Sequence, residues 1–245
     1  MAEPKPGTGA RREDNAPASR GRASQDALSH NLSGQRLGRK GRDTRERILS
    51  AAVELLYKSP TDTPISMSAV ARFASLGMTS LYNYFADLTE LLLAVLEPVM
   101  ATAEQAYLAP LRTRWSDDEL GERCTAFVAA YFAFWHRHAR LLHLRNQISD
   151  RGDHRMTMDR IRATQAIIRL VVVQMDGDPG TPRSCEFAMA TMLMIAIERS
   201  VTLSTTFELP ALVAQNIQHD DEHFLRPGAR LLELAIRDMR RGKGA

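Results

Sequence analysis

Cysteine is nearly missing from this chain. Cys124 and Cys185 are the two in 245 residues, too few and too far apart for a disulfide framework or a zinc motif, and both read as buried small hydrophobes. Long apolar runs are missing as well. The longest, Phe187 to Ile197, is interrupted by Thr191 and ends at Glu198, short of the roughly 18 uninterrupted apolar residues that a membrane helix needs. A soluble protein without a membrane partner is expected. The N-terminus carries Pro, Gly and charged residues where a secretory signal has its apolar segment, so no export signal is visible and a cytoplasmic location is expected. Catalytic patterns are missing too: there is no nucleophile elbow, no Gly-rich phosphate loop and no paired-carboxylate motif on a recognisable turn. Neither an enzyme nor a bound cofactor is expected. The net charge is only +3, which alone does not mark a nucleic-acid binder, but the charge is unevenly spread.

Residues 1–40 contain Pro4, Pro6, Pro17 and several Gly and Ser with almost no large apolar side chains. Such a segment cannot bury enough surface to offset its chain entropy and reads as a disordered tail. It is basic: Lys5, Arg11, Arg12, Arg20, Arg22, Arg36, Arg39 and Lys40 stand against Glu3, Glu13, Asp14 and Asp26. Two readings fit, a solvated tail and an arm that grips phosphates or enters a minor groove.

From Asp43 the pattern changes. Ile48, Leu49, Ala52, Leu55 and Leu56 fall at helical spacing, with Asp43 and Glu46 as a capping pair, so a first helix is expected over about Thr44 to Lys58. Pro60 and Pro64 mark a connector. A second short helix starts near Ser66 with Met67, Val70 and Ala71 on one face and ends near Ala74 and Ser75. A third spans Met78 to about Phe85. Asp87 with Glu90 opens a longer helix through Leu91, Leu92, Val95 and Leu96. Further helices are expected over Asp117 to about His138, Arg140 to Ile148, His154 to Met175, Pro182 to Ser204, and Ala229 to Arg240 after Pro227 and Gly228. No alternation long enough for a sheet occurs. The fold class is all-α.

Two short helices joined by a tight turn and braced by a preceding helix form a helix-turn-helix, which presents its second helix to the major groove. Leu81 and Phe85 are four apart and can bury together against Val70 and Ala71. That leaves Met78, Thr79, Ser80, Tyr82 and Asn83 facing outward. The blocks Thr44-Arg-Glu-Arg-Ile-Leu-Ser-Ala-Ala52 and Leu81-Tyr-Asn-Tyr-Phe85 resemble the DNA-binding region of the TetR family of transcription regulators. The resemblance covers about Thr44 to Leu96. It implies an N-terminal three-helix DNA-binding domain, residues 41–88, followed by a larger helical effector-binding and dimerisation domain, residues 89–245. It also implies a homodimer, formed through the last two long helices, that binds a palindromic double-stranded DNA operator and is released by a small-molecule effector.

Several positions depart from the family pattern. Ser75 stands where the turn often has Gly, Gly77 where the reading helix often has a Ser cap, Ser68 for a basic residue, and Leu88 for a phosphate-binding Lys. Between Ser59 and Glu97 the charged residues are Asp62, Arg72, Asp87, Glu90 and Glu97, so the core of the motif is net acidic. Phosphate neutralisation supplies most non-specific DNA affinity, so the grip is expected from Arg36, Arg39, Lys40, Arg42, Arg45 and Arg47. Thr79, Ser80, Tyr82, Asn83 and Tyr84 are expected to reach bases and backbone, and Met78 a thymine methyl. Tyr82, Tyr84 and Met78 can equally be packing residues.

In the C-terminal half, Phe127, Tyr131, Phe134, Trp135 and His138 share one helix. Arg145, Asn146 and Gln147 lie nearby, and Ile161, Thr164, Gln165 and Ile168 follow on the next. They read either as a pocket for an apolar or aromatic effector or as ordinary core. Arg145 can pair with a ligand carboxylate, with Asp150 or with Asp153. Phe187, Met189, Ala190, Met192, Leu193, Met194, Ile195, Ile197 and Val201 make one helix apolar nearly all round, as a dimer interface or a domain centre requires. Leu231, Leu232, Leu234, Ala235 and Met239 give the last helix a broad apolar face. His219 and His223 are four apart in a polar connector, and a solvated loop fits them better than a metal site. Pro98 is expected to kink or end the helix leaving the DNA-binding region. The rival reading is a helical small-molecule-binding or interaction protein without specific DNA recognition, motivated by the acidic motif core.

Overall fold

The computed structural model describes residues 37–58, 65–206 and 221–242. The tail reading for residues 1–36, the Pro60 and Pro64 connector and His219 lie outside these residues, whereas residues 37–40 do not fit a disordered tail: Leu37 is buried and Arg39 and Lys40 are helical. Every regular element among the described residues is helical. In chain order they are α1 (Arg39–Tyr57), α2 (Met67–Phe73), α3 (Met78–Tyr82), α4 (Leu88–Ala101), α5 (Leu120–Asp150), α6 (His154–Gln174), α7 (Cys185–Ser204) and α8 (Asp221–Arg241). A π turn, Glu104–Leu108, and a 3-10 turn, Ala109–Arg112, join α4 towards α5.

The helix α1 starts more than a turn before the expected Thr44, and its N-cap is Gly38 without a side-chain bond. The Asp43–Glu46 pair therefore lies inside the helix. Leu37 is the reason: it is buried, and its carbonyl accepts from Arg42 Nη1 at 2.8 Å. That contact folds the preceding residues into the same helix. Ile48, Ala51, Ala52, Leu55 and Leu56 form its buried stripe, and they meet Met67, Val70 and Ala71 of α2, Leu81 of α3, Phe85, and Leu91, Leu92, Val95 and Leu96 of α4 in one apolar cluster. Burying side chains of this size contributes about 1.5 to 3 kcal/mol each. Ser66 caps α2 by accepting from Ala69 N at 3.2 Å. Asp87 caps α4 by accepting from Glu90 N at 2.9 Å while Glu90 Oε2 accepts from Ala86 N at 2.6 Å. The Asp87 and Glu90 spacing gives the start of α4 correctly.

The turn between α2 and α3 holds Ser75 at φ 53°, a left-handed value that costs an L side chain about 1 to 2 kcal/mol. Ser75 is exposed and its backbone N–H donates to Arg72 O at 3.1 Å. Ser75→Gly relieves the strain but loosens the unfolded chain. The expected net gain is about 0.5 kcal/mol, read as a higher urea midpoint; an unchanged or lower midpoint shows that the turn holds no usable strain.

Pro98 does not end α4, which runs on to Ala101; the irregular π and 3-10 turns come after it. The two helices expected at 117–138 and 140–148 meet at a kink at His138, φ −118°, ψ 18°, and together make up α5, which continues to Asp150. The helix α7 starts at Cys185 rather than Pro182, because the Ser184 hydroxyl accepts from Phe187 N at 3.1 Å. The helix α8 begins at Asp221 and carries Pro227 inside it. The missing backbone bond is offset by Phe224 and Leu225, which pack on the core.

Helices α4 to α8 share the core cluster with α1 to α3. Buried Gln174 pins the extended approach to α5: its amide donates to Leu111 O at 2.8 Å and Thr113 O at 3.0 Å, and its carbonyl accepts from Trp115 N at 3.0 Å. Two segments, Leu88–Arg112 and Cys185–Ser204, have the length and mean hydropathy of a membrane span, a property the search for uninterrupted apolar runs overlooks. Both supply buried residues to the core, Leu91, Leu92, Val95 and Leu96 from one and Ala190, Met194, Ile197 and Val201 from the other. A core helix in a bundle has this composition.

Candidate functional site

On α3 the side chains separate cleanly. Leu81 and, just beyond, Phe85 are buried, whereas Met78, Thr79, Ser80, Tyr82 and Asn83 are exposed and Tyr84 is half-buried against the core. Tyr82 has 47% of its surface exposed, so the packing alternative does not describe it; the half-buried Tyr84 packs on the core. Arg39, Lys40, Arg42 and Arg47 are exposed on α1. Arg45 is different: its guanidinium lies 5.0 Å from the centroid of the Phe85 ring, and burial lowers its pKa. This cation–π contact joins the basic start of α1 to the end of α3. Arg72 and Phe73, at the end of α2, are also exposed. Sequence reasoning leaves them out, although Phe73 falls off the Met67, Val70, Ala71 face and is identifiable on that ground.

The expected pocket residues do not enclose a cavity. Phe127, Tyr131, Phe134 and Trp135 are buried, and Tyr107 from the π turn sits among them, edge-on to Tyr131 and to Phe134 with ring centroids 5.2 Å away in each case. The space left beside Tyr107, Tyr131, Phe134, Trp135, Arg145 and Thr164 is about 10 Å³, roughly the least that holds one water. Burial pushes the Tyr107 phenol up to about 12. Ile168 is buried, Thr164 half-buried, and Ile161 and Gln165 are exposed. His138 turns to the end of α1 instead: its Nδ1 shares a 2.7 Å hydrogen bond with the Tyr57 hydroxyl. Just beyond it on α5, Arg140 Nη1 donates to Leu55 O at 2.8 Å, capping the end of α1.

Arg145 belongs to the floor of a different feature. An open cleft of about 550 Å³ lies between α5, α6 and α7. Below it Glu198, 7% exposed, receives Arg145 at 3.8 Å and Arg160 at 3.4 Å, and Asn146 Nδ2 donates to it at 3.3 Å. Arg145 also lies over Trp135, 5.8 Å from the ring centroid. Its partner is thus Glu198, not Asp150 or Asp153. Gln147 is exposed on the cleft rim.

From the cleft the chain turns at Gly152, φ 89°, a value for which glycine has no Cβ penalty, and reaches Asp153. The Asp153 carboxylate caps α6, accepts from Thr89 Oγ1 at 2.9 Å and meets Arg155 at 3.1 Å. Arg155 extends to Asp87 at 2.8 Å. Burial acts to raise the Asp153 pKa, but the bonds from Arg155, Met156 N–H and Thr89 prevail and hold it at about 2. The start of α4, directly after the α3 segment, is therefore tied by charged hydrogen bonds to the turn that borders the cleft.

A crystal structure of a TetR-family transcriptional regulator from Streptomyces coelicolor has this architecture, with a TM-score of 0.57 at 15% sequence identity over 84% of this chain and 85% of that one. The fold is of the TetR type. No protein-family model matches the sequence, and neither does any curated protein.

On the outer side of α7 and α8, Met192 and Ile195 are 66% and 54% exposed and Leu231 and Leu234 are 55% and 45% exposed. The broad apolar face expected of α8 is divided: Leu232 and Ile236 turn into the core while Leu231 and Leu234 face out. Among the described residues no His, Cys, Asp and Glu group is placed to hold a metal, and His223 lies edge-on to Phe224.

Proposed function

We propose that the protein is a homodimeric, ligand-responsive transcription regulator that reads double-stranded DNA with Met78 to Tyr84. The observation that carries this is the exposed polar row Thr79, Ser80, Tyr82 and Asn83 beside an exposed cationic α1 terminus, the two joined through Arg45 on Phe85. Hydrogen-bonding side chains without charge specify a base edge but hold a phosphate weakly; Arg39, Lys40, Arg42 and Arg47 supply that hold. Arg45, committed to Phe85, positions the two elements. Acidity around α4 is reduced by Arg155 on Asp87. Exposed Met192 on α7 and Leu231 and Leu234 on α8 are apolar side chains of the kind that mark an interface, and a second copy would cover them in a two-fold dimer. Ligand response is supported by the turn at 150–153, which links the cleft to the α4 cap. Repression is the output the resemblance favours.

The test is DNA binding to the region upstream of the protein's own gene, measured by anisotropy against salt. Tyr82→Ala with Asn83→Ala is expected to lower specific affinity about 100-fold or more, at about 1 to 3 kcal/mol per base contact. Changing Arg39, Lys40, Arg42 and Arg47 to Gln is expected to flatten the slope of log affinity against log salt by about 0.9 for each phosphate no longer neutralised. No selective DNA binding at low salt overturns the reading and favours the helical ligand-binding protein, to which Leu88 in place of a phosphate-binding Lys points.

A further inference from the structure

The chemistry of the α5–α6–α7 cleft differs from that of the aromatic cluster and selects a different ligand. Its volume, about 550 Å³, falls within the roughly 300 to 1,000 Å³ of small-molecule sites. Its neutral lining is His143, Asn146, Gln147, Thr202 and Thr206, with Ile195 as the one large aliphatic side chain. Such walls offer hydrogen bonds and little apolar area, so a lipid-like or purely aromatic molecule gains little there.

The charges decide the sign. Both acids of the lining are already engaged: Asp150 accepts from Arg160 at 3.1 Å, and Glu198 is held by Arg145, Arg160 and Asn146. Arg160 is consumed by the same pairs. Arg151, on the turn after α5, and Arg199, on α7, also line the cleft and are exposed. Neither has an ion-pair partner among the described residues. Two uncommitted guanidinium groups on separate elements thus face one polar cavity, and each presents a fork of donors that fits an oxyanion bidentately.

We propose that this cleft binds a small polar molecule carrying two oxyanion groups, carboxylate or phosphate, one for Arg151 and one for Arg199. Its role as the effector rests on the regulator reading above; its binding does not. Engagement of Arg151 loads the turn that also carries Asp150 and Asp153. Because Asp153 holds Thr89 and Arg155, a ligand drawn onto Arg151 acts on the start of α4 without touching the DNA-reading helix. A ligand oxyanion near Arg160 competes with Asp150 for the same guanidinium, which gives the turn two arrangements to choose between.

Isothermal titration of the full chain with citrate and with inorganic pyrophosphate, at fixed ionic strength and with acetate as a single-charge control, tests the site. Saturable binding of citrate or pyrophosphate, one per chain and at least about tenfold tighter than acetate, is expected. Whichever binds identifies the carboxylate or the phosphate class. Arg151→Gln and Arg199→Gln should each weaken it about tenfold or more, while Arg169→Gln, exposed on α6 outside the cleft, should not. Failure of both polyanions to saturate, or binding that survives both cleft substitutions, overturns the proposal. The DNA assay on the same preparation separates the readings: DNA binding without polyanion binding sinks only the cleft ligand, and polyanion binding without DNA binding sinks only the regulator.

Discussion

Replacing Glu198 by alanine is expected to destabilise the fold by about 3 to 5 kcal/mol, the loss that follows when one member of a buried ion pair is removed and its partner charge stays behind. Arg145 is 5% exposed and stacked over Trp135, so it cannot swing out to water without giving up that stacking. Arg160 and Asn146 lose a shared acceptor at the same time. Glu198→Gln keeps an oxygen for Asn146 but not the charge, and should fall between alanine and the wild type. Asp150→Ala, which removes an exposed partner of Arg160, should cost no more than about 1 kcal/mol. Urea unfolding of the three variants at one temperature measures the order. A loss below about 1 kcal/mol for Glu198→Ala would mean that water entering from the cleft solvates Arg145, and that the pair is not a structural element.

Tyr107→Ala is the second large effect. The ring is 3% exposed and touches Phe127, Tyr131 and Phe134 edge-on, so its removal forfeits both transfer energy and packing, about 3 to 5 kcal/mol. The void left behind is lined by aromatic rings and should stay dry, as apolar cavities do, and so should admit a small aromatic molecule. The expected result is a lowered melting temperature that benzene partly restores in Tyr107→Ala and leaves unchanged in the wild type. Tyr107→Phe keeps the packing and should lie within about 1.5 kcal/mol of the wild type. If alanine costs as little as phenylalanine, the cluster has collapsed around the gap. In that case the packing observed is not what excludes an apolar ligand from this place.

These two substitutions probe the two sides of one helix. Along α5, Tyr131, Phe134, Trp135 and Arg145 turn to the interior and Asn146, Gln147 and Asp150 turn to the cleft. Sequence reasoning places the aromatic residues, Arg145 and Gln147 on one ligand surface because they are close along the chain. The helix separates them, and the residue that fills the expected pocket, Tyr107, comes from a π turn for which neither hydrophobic period nor capping residue gives a signal. Arg160 and Glu198 are equally out of reach: their pairing joins α6 to α7, and no local rule pairs residues so far apart. Several expectations that depend on local order agree with the structure, although the Asp43–Glu46 capping pair and the start at Pro182 do not. Asp87 and Glu90 cap α4, Leu81 and Phe85 bury while Tyr82 and Asn83 do not, and the boundary expected near His138 is the one break in α5.

What the sequence determined by itself is the all-helical character and the division of α3 into a buried and an exposed side. Both follow from the 3.6-residue period and from capping, which act between residues a few positions apart. What only the tertiary structure decided is which cavity remains open and what chemistry lines it. That depends on whether a distant side chain occupies the space. Tyr107 fills the aromatic site almost completely, whereas Arg145 and Arg160 share Glu198 beneath the cleft, with Asp150 as the second partner of Arg160, and Arg151 and Arg199 face it without an ion-pair partner among the described residues.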